Sequence, residues 1–130
     1  MMIDLGDYTF DCHHLFDKEF RKIIQKHQCP TLKDDFNRLK IILVQDLLDN
    51  DNFSHHICTR IKGLNSNVPY PAFIIKNFRC KGINKGSRSG FRLTFMYVKE
   101  ENYFYFFEIY NKNKKDVEDK SRINELFNSN

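Results

Sequence analysis

The sequence lacks the features that mark membrane, secreted and zinc-binding proteins. No run of about eighteen apolar residues occurs among the 130, so no membrane-spanning helix is predicted. The first residues, MMIDLGDY, are acidic where a secretory signal would be basic and then apolar. The cysteines at positions 12, 29, 58 and 80 have no C-x-x-C spacing, which disfavours a zinc ribbon or a redox dithiol. We therefore expect a soluble cytoplasmic protein with reduced thiols and no membrane partner.

Acidic residues are absent from the middle of the chain. Residues 52–99 contain nine Lys and Arg and no Asp or Glu, whereas residues 1–51 contain seven basic and ten acidic side chains. The modest net charge of +4 therefore conceals one strongly basic stretch. Such a stretch is typical of a surface that binds a polyanion, because each Lys or Arg near a phosphate releases condensed counterions. The alternative is a solvated basic face without a ligand.

Hydrophobic periodicity predicts a helical hairpin near the N-terminus. Apolar side chains recur at three-to-four spacing over about residues 14–28 and again over about 31–49, with Thr31 as the N-cap of the second helix. A short strand at 8–12 precedes the hairpin. Because the connection between the two helices is so short, they should lie antiparallel.

The second half of the chain predicts strands. Residues 72–80, 91–98 and 103–110 are β-branched and aromatic, the last two are joined as a hairpin, and an irregular connection leads into the first. The charged segment 112–127 has the apolar spacing of a final helix. With 41% hydrophobic residues the chain can bury one core, so residues 1–130 are expected to form a single domain. The predicted fold class is α+β, a small antiparallel sheet packed on the N-terminal helical hairpin, with a C-terminal helix.

Strand alternation predicts which side chains share a face of the sheet. Arg92 should point away from the apolar set that contains Phe95. In the last strand, Glu108 and Tyr110 should point away from Phe107 and its neighbour Ile109. If the apolar set covers the hairpin, the opposite face gathers five polar side chains, with Lys81 and Lys85 above them and Lys112 below: Asn77, Arg79, Arg92, Glu108 and Tyr110.

Such a gathering suits RNA cleavage without a metal. A 2′-hydroxyl must lose a proton to a base, the phosphorane needs fixed positive charge, and the departing 5′-oxygen needs a proton or a cation. Arginine matches the second requirement because its planar fork holds two phosphate oxygens at any working pH. Glu108 is the candidate base, and Tyr110 or Lys112 the candidate proton donor. The alternatives are that Glu108 only pairs with an arginine and that Tyr110 is a half-buried strand aromatic.

The ordered elements, together with NFRCKGINKGSRSGFRLTF (77–95) and FFEIYNKNKKD (106–116), resemble the RelE/ParE superfamily of toxins from type II toxin–antitoxin systems. The resemblance is to the RelE and HigB-like branch and spans roughly residues 8–127. It implies a ribosome-dependent mRNA endonuclease, with the ribosome and mRNA as partners and a cognate antitoxin as inhibitor.

The resemblance also implies roles for individual residues. Arg79 matches the basic strand position, Arg92 the arginine after the Ser/Gly-rich turn, and Lys112 the lysine that closes the last strand. Two departures concern a phosphate contact and proton transfer: Asn77 stands where many relatives have lysine, and the ending ELFNSN has no terminal His or Tyr. The expected catalytic residues are Arg79, Arg92, Glu108, Tyr110 and Lys112. The expected RNA-binding residues are Lys76, Asn77, Lys81, Lys85 and Arg88.

Metal binding is not predicted, and no cofactor is expected. The clusters CHH (12–14) and HHIC (55–58) contain ligand types that zinc prefers, but adjacent histidines point in different directions and neither cluster has the spacing of a structural site. The segment DLLDNDN (46–52) lacks the glycine and closing glutamate of a calcium loop.

Two other functions fit the same sequence pattern. A ParE-like inhibitor of DNA gyrase shares the fold and needs no nuclease site, although two arginines on one strand face favour cleavage. A non-catalytic RNA-binding module would use the basic stretch only to hold phosphate.

Overall fold

The structure, a computed structural model, describes residues 4–83 and 90–128. It has an α+β fold, as predicted, with three helices and one five-stranded sheet. The helices are α1 (His14–Gln25), α2 (Leu32–Asn50) and α3 (Lys120–Leu126). The strands are β1 (Thr9–Cys12), β2 (Thr59–Arg60), β3 (Ala72–Ile75), β4 (Phe91–Val98) and β5 (Tyr103–Asn111). Among the described residues, no helix is both long and apolar enough to cross a bilayer.

The sheet is mixed rather than wholly antiparallel. The strand order is β1-β5-β4-β3-β2, and every neighbouring pair is antiparallel except β1 with β5. The prediction of an antiparallel sheet is therefore correct for β3 to β5 and wrong for β1, and β2 lies in the segment that was expected to be irregular. A parallel pair needs a long crossover connection, and the helical hairpin that follows β1 begins such a connection.

Phenylalanine rings fill the core between the sheet and the helices α1 and α2, which we call the α1–α2 face. Phe106 of β5 lies with its ring centre 5.8 Å from that of Phe16 and 4.8 Å from that of Phe36. Phe36 also contacts Phe20 of α1, so the two helices meet through aromatic side chains. Rings in such tilted and edge-on arrangements gain about 0.5–1.5 kcal/mol beyond burial.

A β-bulge at Phe107 changes which side chains share a face. Phe95 pairs with Phe106, but the preceding residue of β4, Thr94, pairs with Glu108, so β5 carries one extra residue. Phe107 therefore packs on the same side of the sheet as Tyr110, whereas Ile109 packs on the side of Phe106. The prediction that Phe107 points away from Glu108 and Tyr110 is wrong, because strict alternation does not continue through a bulge.

The second face of the sheet, the α3 face, is covered by α3 and the irregular segment before β3. Ile123 of α3 is fully buried against the cluster of Phe107. The helix is shorter than the predicted 112–127, because Asp119 caps it: its carboxylate accepts the Arg122 N–H at 3.2 Å. Val117, predicted as an apolar position of that helix, lies outside it and is exposed.

A disulfide joins Cys29 and Cys80, so the expectation of reduced thiols is wrong for these two residues and holds for Cys12 and Cys58. The pairing follows from the early end of β3: the strand stops at Ile75 instead of the predicted residue 80, and the chain then turns towards the α1–α2 connection.

Hydrogen bonds also hold the α1–α2 connection to the segment after β3. The Thr31 hydroxyl donates to Asp35 at 2.7 Å and accepts the Gly82 N–H at 2.8 Å, and the Lys81 N–H donates to Asp35 at 3.2 Å. Thr31 occupies the N-cap of α2 as predicted, but its side chain makes no capping hydrogen bond. Residues 80–82, which lie within the basic stretch, are thus held to the start of α2 by one disulfide bond and several hydrogen bonds.

Candidate active site

Arg92 and Tyr110 form the centre of the candidate site. They lie directly opposite each other on β4 and β5, and they share the α3 face, as alternation predicts. The Arg92 Nε atom and the Tyr110 hydroxyl are both buried, and neither makes a well-formed hydrogen bond to a described residue. The two side chains lie close enough for Arg92 to oppose part of the increase in the pKa of Tyr110 that burial causes, and Arg92 Nη1 donates to the Asp116 carbonyl at 3.4 Å. Buried polar atoms are nearly always satisfied, so two neighbouring unsatisfied ones mark a place where a ligand can supply the missing partners.

The environment keeps Tyr110 protonated. Burial raises the pKa of its hydroxyl, and the nearby carboxylates of Glu118 and Glu108 act in the same direction. The Arg92 guanidinium favours the phenolate and opposes part of that increase in pKa. At neutral pH the hydroxyl is therefore available as a hydrogen-bond or proton donor.

Glu108 is engaged in structural contacts. Its carboxylate is buried, with one oxygen bonded to the Lys115 ammonium and the other accepting the Asp119 N–H at 2.8 Å. The partner is thus a lysine of the segment after β5 rather than an arginine. In this arrangement Glu108 connects the start of α3 to the sheet. Glu108 could act as a general base only after losing its contacts with Lys115 and the Asp119 N–H.

Arg79 and Asn77 do not join Arg92. Both lie beyond the end of β3, where they line a cavity together with Arg38 and Leu39 of α2. The Arg79 carbonyl is 3.5 Å from the Arg38 guanidinium. The prediction that these residues share one strand face with Arg92 is wrong, because β3 ends before it reaches them.

The remaining predicted residues are dispersed. Lys76 is exposed just after β3, Lys81 lies exposed in a short 3-10 turn, and Lys112 follows β5 with its backbone bonded to Gly90. Lys85 and Arg88 lie outside the described residues. Apart from these two, the predicted RNA-binding residues follow the end of β3, whose last residue, Ile75, pairs with Leu93, the neighbour of Arg92.

Sequence reasoning missed an ion pair that covers the open edge of β5. Beyond Phe106, no strand within residues 4–83 and 90–128 pairs with this edge. Glu19 of α1 accepts the Ile109 N–H at 3.2 Å, and Arg122 of α3 donates to the Phe107 carbonyl at 2.6 Å. Glu19 and Arg122 bind each other through two hydrogen bonds of 3.0 and 2.9 Å. A signal was present, because Glu19 lies beside the apolar stripe of α1, where a carboxylate requires a partner.

One set of potential metal-binding atoms occurs among residues 4–83 and 90–128, at Cys29, Asp35 and Cys80. The two sulfurs are bonded to each other, and Asp35 is bonded to Thr31 and Arg38. Thiolates, not disulfide sulfurs, are the ligands that metals prefer. The arrangement therefore serves as a covalent and polar junction.

Comparison with solved structures gives a structural likeness. The chain is similar to a RelE toxin. The solved structure is a crystal form of the isolated E. coli RelE toxin, 19% identical in sequence, with a TM-score of 0.45. The alignment covers 80% of this chain and 83% of that one. No protein-family model matches the chain, and no curated protein matches it.

Proposed function

We propose that the protein is the toxin of a toxin–antitoxin pair and that it cleaves mRNA on the ribosome without a metal. The observation that carries the proposal is the pair of unsatisfied buried atoms, Arg92 Nε and the Tyr110 hydroxyl, at one point of the sheet. The resemblance of residues 77–95 and 106–116 to RelE-like toxins supports the same activity. A cytoplasmic location follows from a ribosomal substrate.

In the proposed reaction the 2′-oxygen attacks the adjacent phosphorus after losing its proton to a base. The bond from phosphorus to the 5′-oxygen breaks, which leaves a 2′,3′-cyclic phosphate and a 5′-hydroxyl. Arg92 stabilises the negative charge on the phosphorane oxygens. Tyr110, which its surroundings keep protonated, donates the proton that the 5′-oxygen needs. Glu108 remains the predicted base, and Lys112 an alternative donor.

The proposed inhibitor is an antitoxin whose acidic segment competes with RNA for the basic surface. Charge complementarity of this kind accelerates association and weakens as salt rises. Coexpression with the products of neighbouring small genes, followed by measurement of growth and of complex formation at two salt concentrations, tests this part of the proposal. Free and toxic protein in every combination would contradict direct neutralisation.

A non-catalytic RNA-binding module is the second candidate, and one observation favours it. Both oxygens of Glu108, the predicted base, are engaged in contacts within the protein. A module of this kind would hold phosphate at Arg92 without breaking a bond.

Single-turnover cleavage of mRNA on programmed ribosomes tests the proposal. Arg92→Ala should lower the rate by about a hundredfold to a thousandfold, because one donor to the developing oxyanion is lost. Tyr110→Phe should also lower the rate, since it removes the hydroxyl and keeps the ring. Arg21→Ala is the matched control, because Arg21 is exposed on α1 and pairs only with Asp17. Circular dichroism confirms folding.

The possible results separate the candidate functions. A folded Arg92→Ala protein that cuts at the normal rate overturns the assignment of the site. Ribosome binding by the unmodified protein without any cleavage indicates the RNA-binding module, and trapped DNA cleavage complexes with gyrase indicate a ParE-like inhibitor.

A further inference from the structure

A second cavity lies next to the candidate site, between the C-terminal half of α1 and the end of β5, and we call it the α1–β5 cavity. Its volume is about 240 Å³. Sites for drug-sized ligands are usually about 300–1,000 Å³, so this cavity suits a single planar group rather than a whole cofactor. Tyr110 lines it, which joins the cavity directly to the candidate site.

The floor of the α1–β5 cavity is apolar and aromatic. It is formed by Ile23, Phe91 and Ile109, which belong to the α1–α2 face, and Tyr110 of the α3 face borders it across the open edge of β5. Flat apolar and aromatic surfaces bind nucleobases without sequence preference, because every base has a π-face.

Two side-chain amides, those of Gln28 and Asn111, border this floor. An amide offers both donors and an acceptor, which matches the edges of nucleobases. The Gln28 side chain makes no hydrogen bond to any described residue, so it is free to bind a ligand. The Asn111 oxygen already accepts the Asn113 N–H at 2.9 Å, which leaves its amino group.

The backbone holds Gln28 rigidly at the cavity. The Gln28 N–H donates to the Ile23 carbonyl and the His27 N–H to the Ile24 carbonyl, which is the Schellman arrangement at a helix end. His27 takes the left-handed conformation, with φ of 57°, that this arrangement needs. On the other side Gln28 is followed by Cys29, which the disulfide fixes. The backbone of Gln28 therefore needs no reordering when a ligand binds, and only its side-chain torsions lose freedom.

Among the described residues, the carboxylates around the cavity have ion-pair partners, whereas three lysines at its rim do not. Its two carboxylates are paired, Glu19 with Arg122 and Glu108 with Lys115. Three further lysines, exposed at the rim, have no ion-pair partner among the described residues: Lys22, Lys26 and Lys114. The rim is therefore positively charged, as a surface that meets phosphates must be.

We propose that the α1–β5 cavity binds one unstacked base of a single-stranded RNA, with the flanking phosphates at Lys22, Lys26 and Lys114. The choice of RNA as ligand rests on the proposed function. The base lies on the apolar floor beside Tyr110, and Gln28 bonds to its edge. The cavity thereby selects an extruded nucleotide next to the phosphate that Arg92 contacts.

Binding of a fluorescently labelled RNA of about eight nucleotides tests the proposal without ribosomes and without cleavage. Gln28→Ala should weaken binding of the single strand about fivefold to tenfold, in line with the loss of a hydrogen bond, and leave its salt dependence unchanged. Gln25→Ala is the matched control, since Gln25 is exposed on α1 and does not line the cavity. The same RNA as a duplex, whose bases are stacked, should show no effect of Gln28→Ala.

The lysines give an independent measurement. Lys22→Ala and Lys26→Ala should each lower the slope of log affinity against log salt by about 0.7, the value for one phosphate of a single strand. Lys18→Ala, exposed on the same helix but outside the cavity, is the control and should leave the slope unchanged. RNA that contains 4-thiouridine should crosslink to residues 22–28 or 109–114.

Equal binding by the Gln28→Ala and Gln25→Ala proteins overturns the base site. Lysine effects that are identical for single and double strands, together with no effect at Gln28, also overturn it and leave a surface that only attracts phosphate. Failure of the proposed function is recognised separately. In that case Arg92→Ala leaves cleavage unchanged while Gln28→Ala still weakens RNA binding.

Discussion

The two faces of the sheet differ in how many buried polar atoms lack a hydrogen-bond partner among the described residues. On the α1–α2 face the buried carboxylate of Asp46 is satisfied three times, by the Ser54 hydroxyl, the Ser54 N–H and the Asn50 amide. On the α3 face three buried nitrogen or oxygen atoms have no hydrogen-bond partner among the described residues: Arg92 Nε, Tyr110 Oη and Arg122 Nε. Unsatisfied buried groups cost about 1–3 kcal/mol each, so a protein retains them where they serve a ligand. The unsatisfied atoms of Arg92 and Tyr110 are the reason that the proposed site is placed on the α3 face.

Truncation of a core aromatic on the α1–α2 face should give the largest loss of stability. Phe106 is 1% exposed and contacts three other phenylalanine rings. Phe106→Ala should lower the free energy of unfolding by about 3–5 kcal/mol, measured by urea denaturation. Leu48→Ala, at a residue of α2 that is 63% exposed, should change it by less than about 0.5 kcal/mol. Equal stability of the two variants would remove the basis of the contrast.

The disulfide should provide the next largest effect. It closes a loop of 51 residues and fastens the α1–α2 connection to the segment after β3. Cys80→Ser should lower the free energy of unfolding by about 2–4 kcal/mol, and reduction of the unmodified protein should have the same effect. Cys12→Ser, at an exposed free thiol, is the control. Unchanged unfolding after verified reduction would show that the junction holds without its covalent bond.

Removal of the ion pair at the β5 edge should cost less. Arg122→Ala leaves Glu19 and the Phe107 carbonyl without their donor, and we expect a loss of about 2 kcal/mol in unfolding free energy. A double-mutant cycle with Glu19→Ala isolates the coupling between the two side chains. Arg21→Ala breaks an exposed pair with Asp17 and should cost less than about 1 kcal/mol. A coupling near zero would mean that the edge is stable without the pair.

The smallest effect should depend on pH and concerns the start of α1. The His13 Nδ1 atom caps this helix by accepting the Leu15 N–H at 3.1 Å. Burial lowers the pKa of His13, and the adjacent His14 lowers it further. The neutral cap is therefore fully effective above about pH 6.5, and its contribution of about 1 kcal/mol is lost as the pH falls through the folded-state value.

His13→Asn separates this titration from that of other groups, because asparagine caps without titrating in this range. Unfolding in urea at pH 7.5 and pH 5 should show a smaller pH dependence for His13→Asn than for the unmodified protein. His55→Asn, at an exposed histidine, should leave the pH dependence unchanged. Identical pH dependence in all three proteins would exclude His13 as the source.

The sequence patterns predicted where helices and strands occur better than they predicted where a strand ends or bulges. The bounds of β4 and the outward direction of Arg92 follow from alternation alone, and both are correct. The bulge at Phe107 was not predictable, because a run of aromatic residues gives no sign of which one is extra. The end of β3 was missed because Asn77 and Arg79 continue the alternation of a strand that has already stopped.

The parts of the site that depend on distant residues could not be read from the sequence. Cys29 and Cys80 are 51 residues apart, and no spacing rule connects them. Lys22 and Lys26 read as solvated positions of an amphipathic helix, and their relation to Tyr110 exists only after α1 has packed on the sheet. Tertiary packing, not local propensity, assembles the α1–β5 cavity.

Because β1 pairs with β5, the sheet cannot be completed until late in the synthesis of the chain. Thr9 leaves the ribosome early but pairs with Tyr103, which is made roughly 5–20 s later at about 5–20 residues per second. During that interval the aromatic side of α1 and α2 lacks β5 to cover it, so the nascent chain exposes apolar surface. Arg92 is likewise synthesised before Tyr110, the residue that lies opposite it in the sheet. A chain whose translation stops before β5 therefore carries the basic stretch but lacks the opposed pair of Arg92 and Tyr110.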